Sequence, residues 1–395
     1  MQSFCQLLVV LFCLFPVSIF AAEPPLPADV ANRIVNQLGE AAGAAAEILK
    51  DPQNYEEGTN PNSKGIAKQA NVDDSGQLAF SAMEVDYASF LETKPLKKYK
   101  KFAQNRIAVP VFRVAFVIQT KASAHSMSGF DRSRGGISSS LTVTLGGIDA
   151  AVMQETTDRA YQDYLARLTA AGFDVVSFSE IKQTSGYQKI KFVPDGYSKS
   201  ANGTTYLVFT PTGMPLFWDF GNVIGNAGLS TGQPFNRISS ETLSTVILPT
   251  LVVNFAEMSS SGRKFAATSA SVGAEMGITL NEQSTYHLRV GHPKMSTAVT
   301  FMGDARVKES FSVVGDFGEM REVGSSDDRA LMGLLSLGMG TALSSRVSET
   351  RIVSAEPKAY QQLALTALAS GNEAFVEALA DAKNGELRKK QKARR

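Results

Sequence analysis

The clearest match to a catalytic motif in this chain is Gly228-Leu-Ser-Thr-Gly232, which fits the G-x-S-x-G pattern of a serine nucleophile elbow. Such an elbow exposes Ser230 only where a strand precedes it and a helix follows, but here a loop-like stretch precedes and a Gln-Pro pair follows. A triad would also need His287 with Asp304 or Asp316, and no pattern in the sequence brings these together. In a chain with 32 glycines, chance is the favoured explanation. A secreted serine hydrolase using Ser230 is therefore the alternative function.

Residues that could hold a metal or act as a thiol nucleophile are scarce. The chain has three histidines, and His287 and His292 fall on opposite faces of a strand-like segment. Its two cysteines are Cys5 and Cys13. The sequence contains neither a phosphate-binding loop nor a dinucleotide-binding glycine pattern after a strand. We expect no metal, no cofactor and no enzymatic activity.

The segment Pro215–Phe220 contains the only tryptophan of the chain and forms a compact aromatic cluster. Core packing is the first interpretation of such a cluster. The second is a surface that binds a partner or ligand through Phe217, Trp218 and Phe220. A secreted ligand-binding or adhesion protein is the functional alternative that follows from the second interpretation.

The first residues have the form of a secretory signal peptide. Leu7–Phe20 is an almost unbroken apolar run, and the small residues Ala21 and Ala22 then precede a polar, proline-rich stretch. An uncleaved membrane anchor would need about 20 apolar residues, and this run is shorter. Cleavage after Ala21 or Ala22 removes both cysteines. We therefore expect an exported protein of a Gram-negative bacterium, in the periplasm or outer membrane, or outside the cell.

Charge and composition favour an envelope protein over a nucleic-acid-binding protein. The chain has 39 basic and 38 acidic residues, so a global basic field is absent and no nucleic acid is expected as a partner. Abundant Gly, Ser, Thr and Ala without disulfides are typical of a β-rich bacterial envelope protein.

The first half of the chain predicts a helix followed by an α/β unit. The N-terminal helix covers Pro27–Lys50, and a lysine-rich turn or short helix covers Lys94–Lys101. A central helix over Thr156–Ala171 is predicted to be capped by Thr157 or Asp158. The predicted strands are Ile107–Thr120, an alternating run from Ile137 to Leu145, Phe173–Phe178 and Thr204–Thr210.

The second half contains two unusually long alternating runs, Phe265–Asn281 and Thr297–Val313. A third, less regular β run covers Leu243–Phe255 and is broken by Pro249. Membrane strands need about 9–11 residues with one apolar and one polar face, and both long runs meet this condition. The candidate membrane-facing residues are Val272, Met276, Ile278, Leu280, Val299, Phe301, Val307 and Phe311. The favoured interpretation is nevertheless a long soluble hairpin packed on a layer of helices, or runs interrupted by bulges. A membrane hairpin is the second interpretation, and spanning would require several subunits.

The C-terminal region is predicted to be helical. The glycine-bearing apolar stretch within Asp328–Arg346 is too short to span a bilayer and is expected to be a buried helix. Two short helices are predicted at Lys358–Ala369 and Asn372–Lys383, joined at Ser370-Gly371. The chain then ends in a basic tail, 388–395.

Part of the chain resembles a known envelope group. Arg106-Ile-Ala-Val-Pro-Val-Phe-Arg113, followed by Leu168-Thr-Ala-Ala-Gly-Phe-Asp-Val-Val176, is similar to the opening of the curli-secretion (CsgG-like) proteins. The resemblance extends over roughly residues 106–320. It implies that the later long strands correspond to that group's membrane-directed hairpins. Related flagellar-base envelope proteins share the α/β core without forming a pore.

Together these patterns predict an α+β fold: an N-terminal helix, an α/β core unit, a long-stranded antiparallel β region and C-terminal helices. The predicted divisions are a signal peptide (1–22), a helical and loop segment (23–105), an α/β domain (106–235), a long-stranded region (236–325), C-terminal helices (326–387) and a basic tail (388–395). The predicted function is a non-enzymatic component of an outer-membrane-associated oligomeric complex, with possible pore hairpins. The expected partners are further copies of the chain, other envelope proteins and the outer membrane.

Overall fold

The computed structural model of the protein describes residues 80–83, 85–126, 137–193, 197–201, 203–217, 232–262, 270–322 and 349–387. The predicted signal peptide, the Pro27–Lys50 helix, the 328–346 helix and the basic tail lie outside these ranges.

Strands are the largest class of element in the described fold, and they are numbered here in chain order. They are β1 (Leu91–Glu92), β2 (Arg106–Ala108), β3 (Arg113–Ser126), β4 (Ile137–Gly146), β5 (Asp174–Val175), β6 (Phe192–Val193), β7 (Tyr197–Ala201), β8 (Thr204–Phe209), β9 (Leu216–Phe217), β10 (Thr245–Gly262), β11 (Ala270–Leu280), β12 (Thr285–His292), β13 (Met295–Val307), β14 (Phe311–Val313), β15 (Gly318–Glu322) and β16 (Glu349–Ala355).

The described helices differ greatly in length. They are α1 (Tyr87–Phe90), α2 (Ala150–Ala170), α3 (Phe178–Gln183), α4 (Gln233–Thr242) and α5 (Pro357–Asn384), with 3₁₀ helices at Lys94–Lys101 and Tyr187–Lys189.

A single 14-stranded sheet organises the molecule, with the main order β1-β13-β12-β10-β3-β4-β16-β15. β3 and β10 are central and parallel to each other, with Arg113 opposite Thr250 and Phe116 opposite Val253. β6 and β9 form a separate two-stranded sheet. Helices beside a large mixed sheet confirm the predicted α+β class.

Helices cover both faces of the sheet because alternate residues of its central strands are apolar on both sides. α2 and α5 pack on one face, over a core that includes Ile247 and Leu251 of β10. α4 packs on the other face, where Phe235 contacts the neighbouring β10 residues Val246 and Leu248. The period of two along β10 thus supplies one core on each side.

α2 begins six residues before the predicted start. Its N-cap is Asp149, whose carboxylate accepts a hydrogen bond of 2.9 Å from the backbone N–H of Val152, and not Thr157 or Asp158. Thr157 lies inside the helix and donates to the carbonyl of Met153. Asp158 accepts a hydrogen bond of 2.6 Å from the backbone N–H of Thr212 and so fastens the 210–216 loop to α2.

α5 is one continuous helix of 28 residues, so the prediction of two short helices joined at Ser370-Gly371 is wrong. Glu356 caps its start and Gly385, at φ 78°, ends it. Gly371 serves close packing, since a Cβ there would lie 2.4 Å from Leu280 Cδ2. The glycine therefore marks the point where the helix touches the sheet, and not a break.

Two predicted long strands are divided in the fold. The predicted Ile107–Thr120 strand is split into β2 and β3 around Pro110, and the predicted Thr297–Val313 run is split into β13 and β14. The predicted Phe173–Phe178 strand shortens to β5. The predicted Phe265–Asn281 run appears as β11, whose register with β10 begins at Ala270.

Pro249 does not break the β run that contains it. It lies within the 18-residue β10, opposite Tyr286 of β12. On its other side, β10 pairs with β2 at Val246 and with β3 from Thr250 onward, so Pro249 falls between the two partners. Proline lacks the N–H that a ladder needs, and this gap is where its absence is tolerated.

Candidate functional site

Two antiparallel ladders leave the sheet at the same end and are the most distinctive feature of the described fold. In the first, β3 pairs with β4 from Gln119 to Ser126. In the second, β10 pairs with β11 from Val253 to Gly262. Because β3 and β10 are parallel, both ladders extend in one direction. We call them the first and second projecting ladders, and the part of β10 in the second spans about 30 Å.

A bulge lies where each central strand departs from its neighbour. On β10 the register with β11 shifts between Asn254 and Ala256. The side chain of Asn254 stabilises this shift by accepting from the backbone N–H of Phe255 (3.0 Å) and donating to the carbonyl of Ala256 (2.7 Å). On β3 the register with β8 shifts between Val117 and Gln119. Bulges bend strands, so each central strand changes direction close to the base of its ladder.

The bases of the ladders are packed into the core. On β10, Phe255 and Ala256 are fully buried. On β4, Leu141 and Val143 are also fully buried. Gln119 of β3 is also buried, and its amide donates a hydrogen bond of 3.2 Å to the Thr144 hydroxyl. The ladders therefore start from rigid positions.

Two carboxylates face each other across the second ladder. Glu257 of β10 lies directly opposite Glu275 of β11, and both are exposed. Ser312 donates a hydrogen bond of 3.0 Å to Glu257. Like charges directly opposite on a ladder destabilise it, so this pair is an unfavourable element of the isolated chain.

The outer edges of both ladders are open within the described residues. Beyond Val253, β10 pairs only with β11, and before Ile278, β11 pairs only with β10. On the first ladder, β4 pairs with β16 only from Leu141 onward. Open edges present rows of unpaired N–H and C=O groups that can pair with another chain.

Half of the candidate membrane-facing residues are buried inside the chain, which corrects that prediction for them. Ile278, Leu280, Phe301 and Val307 belong to the core beneath α5 and the Lys94–Lys101 helix, so they face protein and not lipid. The other four are less buried. Val272, Met276 and Phe311 are half-buried, and Val299 is 40% exposed.

Phe217 is likewise a core residue, so the prediction that it binds a partner is wrong. It is 5% exposed, and its ring meets the Phe235 ring edge-on at 5.1 Å. Its carbonyl accepts a hydrogen bond of 3.1 Å from Arg113. Trp218 and Phe220 lie outside the described residues, as does Ser230.

Arg113 and Arg289 are buried basic residues that sequence reasoning missed. They are 1% and 2% exposed, on the sheet face covered by α4. Arg113 also donates a hydrogen bond of 2.6 Å to the Thr250 hydroxyl, and Arg289 lies against Gly232. Arg113 could have been identified from the sequence, because it lies inside the apolar run Val111-Phe-Arg-Val-Ala115.

His287 lies next to these arginines and opposite Asp304 in the β12–β13 register. Burial, followed by the charges of Arg113, Arg289 and Arg306, lowers the pKa of His287 to about 4. The imidazole is therefore neutral at pH 7.

An open pocket of about 610 Å³ lies between the start of α2 and the loop that follows β8. The amide of Gln154 in its lining donates to the Asp158 carboxylate (3.1 Å) and to the carbonyl of Thr210 (2.8 Å). This polar group therefore holds the loop in place.

Among the residues that the structure describes, no three His, Cys, Asp or Glu residues are grouped as metal ligands. No helix among the described residues is both long and apolar enough to cross a membrane.

No family model, curated protein or solved structure matched this chain. The resemblance to the curli-secretion group therefore stays a prediction.

Proposed function

We propose that the protein is a non-enzymatic, exported envelope component that assembles with copies of itself. In the assembly, the projecting ladders of neighbouring copies lie side by side and pair through their open edges. Other envelope proteins and the outer membrane remain the predicted partners of this assembly.

The observation that carries the proposal is the pair of projecting ladders with open edges. β3 and β10 have 14 and 18 residues, where about 5–6 is usual. Soluble proteins usually cover or shorten such edges, because an open edge pairs readily with another strand. β3 and β10 are parallel, so both ladders extend in one direction and one neighbouring copy can meet both.

Composition supports pairing between ladders. The outer part of the second ladder has the sequence Ser259-Ser-Ser-Gly262 on one strand and Ala270-Ser-Val-Gly-Ala274 on the other. Residues this small permit close approach of a neighbouring strand, and their register is set weakly within the single chain. Pairing with a second copy would fix it.

Export is the part of the proposal that rests on sequence alone. The apolar run Leu7–Phe20, followed by Ala21 and Ala22, supports it. The intact mass of protein recovered from fractionated cells tests it. A mass matching cleavage after Ala21 or Ala22, in an envelope fraction, is the expected result, and an uncleaved cytosolic chain contradicts it.

The ladders are tested by trimming them without changing their register. One variant replaces residues 259–273 by Asn-Gly and so joins Met258 to Ala274, which lie opposite each other. It also replaces residues 123–140 by Asn-Gly, which joins Ala122 to Leu141 in the same way. Since the cut lies beyond the buried bases, circular dichroism is expected to be close to that of the intact protein after allowance for the lost strands.

Sedimentation velocity then compares the trimmed and intact proteins. We expect the intact protein to sediment as an oligomer and the trimmed one as a monomer. A folded trimmed protein that keeps the full oligomer would contradict assembly through the ladders.

The two alternative functions have separate tests. Ser230→Ala should abolish turnover if the chain is a serine hydrolase. Trp218→Ala should abolish saturable ligand binding if the chain is an adhesion protein. Our proposal expects neither turnover nor such binding in the unchanged protein.

A further inference from the structure

The main sheet ends in two edges that differ in chemistry. At one end is β13, which pairs with β12 along its length and with β1 only at Arg306 and Val307. At the other end is β15, which pairs with β16. Among the described strands, nothing else pairs with the outer side of either one.

The β13 edge exposes large apolar side chains. Met295, Val299 and Met302 are 60%, 40% and 50% exposed. Exposed apolar residues along an unpaired edge strand are typical of a site that pairs with another strand.

A row of lysines flanks this β13 edge. The Lys94–Lys101 3₁₀ helix packs on β13, with the ring of Tyr99 5.6 Å from that of Phe301. Residues three apart share a face of a 3₁₀ helix, so Lys98 and Lys101 share one. Lys100 lies on another face and donates a hydrogen bond of 2.9 Å to the carbonyl of Asn384.

Lys98 and Lys101 have open surroundings. Both are exposed, and no ion pair holds either of them within the described ranges. Their charges are therefore available to an acidic surface beside β13.

The exposed side chains of the β15 edge are acidic. Glu319 and Glu322 on the strand and Asp316 just before it are exposed. Between the two glutamates, Met320 and Arg321 are half-buried. The exposed charges beside β13 and along β15 are therefore opposite in sign, and Met320 adds an apolar group to the β15 edge.

We propose that the β13 edge of one copy docks on the β15 edge of a second copy, head to tail. The contact joins two different surfaces, so an open row of copies has a free β13 edge at one end and a free β15 edge at the other until the assembly closes. Lys98 and Lys101 lie beside the acidic β15 edge in this contact. Since side chains alternate along a strand, Glu319 and Glu322 border that edge from opposite faces, and strand pairing supplies the remaining contacts. The inference rests on the proposed self-assembly and specifies how neighbouring bodies meet below their ladders.

A charge swap tests the contact. Variant K reverses Lys98→Glu and Lys101→Glu, and variant E reverses Glu319→Lys and Glu322→Lys. The matched control reverses Lys189→Glu and Lys191→Glu, two exposed lysines that belong to neither edge strand nor to the Lys94–Lys101 helix. Each pair of substitutions is made in the intact mature chain. Sedimentation equilibrium then measures self-association at about 0.05 M and about 0.5 M NaCl, two concentrations at which charge screening differs strongly.

We expect variants K and E alone to associate about tenfold more weakly than the unchanged protein at low salt, from two exposed charge pairs. An equimolar mixture of K and E should regain association, because alternating copies meet with opposite charges. The control should associate as the unchanged protein does. If K and E associate normally, or if the mixture gains nothing, the head-to-tail contact is wrong.

Cross-linking tests the polarity of the contact. In a chain with Cys5→Ser and Cys13→Ser, one variant carries Met302→Cys and another Met320→Cys. A flexible bismaleimide should link the two variants only when they are mixed. Links within either variant alone would mean that identical edges meet, which overturns the inference.

The same experiments separate this inference from the proposed function. A strictly monomeric mature protein would contradict both the proposed self-assembly and the head-to-tail contact. An oligomer that is unaffected by K and E but lost on trimming the ladders keeps the proposed function and removes the head-to-tail contact.

Discussion

Asn372 connects both long helices to the sheet, and its removal should be costly. Its side chain is completely buried on α5. The amide donates to the carbonyl of Ala160 (3.1 Å) and the carboxylate of Asp163 (3.2 Å) on α2. Its oxygen accepts from the Tyr286 hydroxyl on β12 at 3.2 Å.

Asn372→Ala leaves the buried Tyr286 hydroxyl without this partner and removes two bonds between α2 and α5. A buried hydroxyl without a hydrogen-bond partner lowers the free energy of unfolding by about 1–3 kcal/mol. The small cavity and the lost contacts to α2 lower it further. We expect the free energy of unfolding to fall by about 2–4 kcal/mol. The Tyr286 ring, stacked on Phe375 at 4.0 Å, stays in place.

Urea unfolding measures this loss as a lower midpoint with an unchanged slope. The matched control is Asn384→Ala, the same change at an exposed position of the same helix, with an expected effect within about 0.5 kcal/mol. Adding Tyr286→Phe to Asn372→Ala should recover about 1 kcal/mol, because it removes the stranded hydroxyl. Equal losses for Asn372→Ala and Asn384→Ala would refute this reasoning.

Three further predictions concern the sheet. Gly291→Ala should destabilise the fold by about 1–3 kcal/mol, since its Cβ would lie 2.2 Å from a backbone oxygen of α4, whereas Gly277→Ala, with nothing within 4 Å, should leave the urea midpoint nearly unchanged. The folded-state pKa of His287, about 4, lies below its usual 6.5, so the unfolded chain binds the proton first and stability falls as pH drops between these values. His287→Gln should flatten that decline by up to about 3 kcal/mol in urea titrations from pH 7 to pH 4, and an unaltered decline contradicts the assignment. Glu275→Lys replaces the like-charge pair with Glu257 by an opposite pair and should raise the urea midpoint at low salt. An unchanged midpoint at low salt would contradict a repulsion between these two carboxylates.

The sequence predicted element types better than it predicted their ends and partners. Alternation identified β11, and the apolar spacing of Ala160, Tyr164 and Leu168 identified α2. The start of α2 was missed because Thr157 and Asp158 have cap chemistry, while the true cap, Asp149, follows a pair of glycines. The residue type alone does not distinguish the helix-capping aspartate, Asp149, from Asp158, whose carboxylate holds the 210–216 loop against the helix.

The predicted helix break, and the predicted lipid exposure of the buried strand residues, were wrong because of tertiary contacts. Ser370-Gly371 has the local form of a turn, but contact with Leu280 makes glycine necessary inside a continuous helix. Ile278 and Phe301 alternate as membrane residues do, yet α5 and the lysine-rich helix cover them. Period-2 alternation gives the apolar face of a strand and not what covers that face.

The candidate site was only partly predictable. Long β runs were expected, but their partners, β4 for β3 and β11 for β10, and the register shifts at Val117 and Asn254 were marked by no residue pattern beforehand. Asn254 is a signal in retrospect, because an asparagine inside an apolar strand can bond to its own backbone at a bulge.

The native mass of the intact mature protein tests the central claim most directly. Measured by native mass spectrometry at low salt, this mass should be two or more whole chain masses, and the oligomer should persist on dilution. A single-chain mass at every concentration would contradict self-assembly through the projecting ladders.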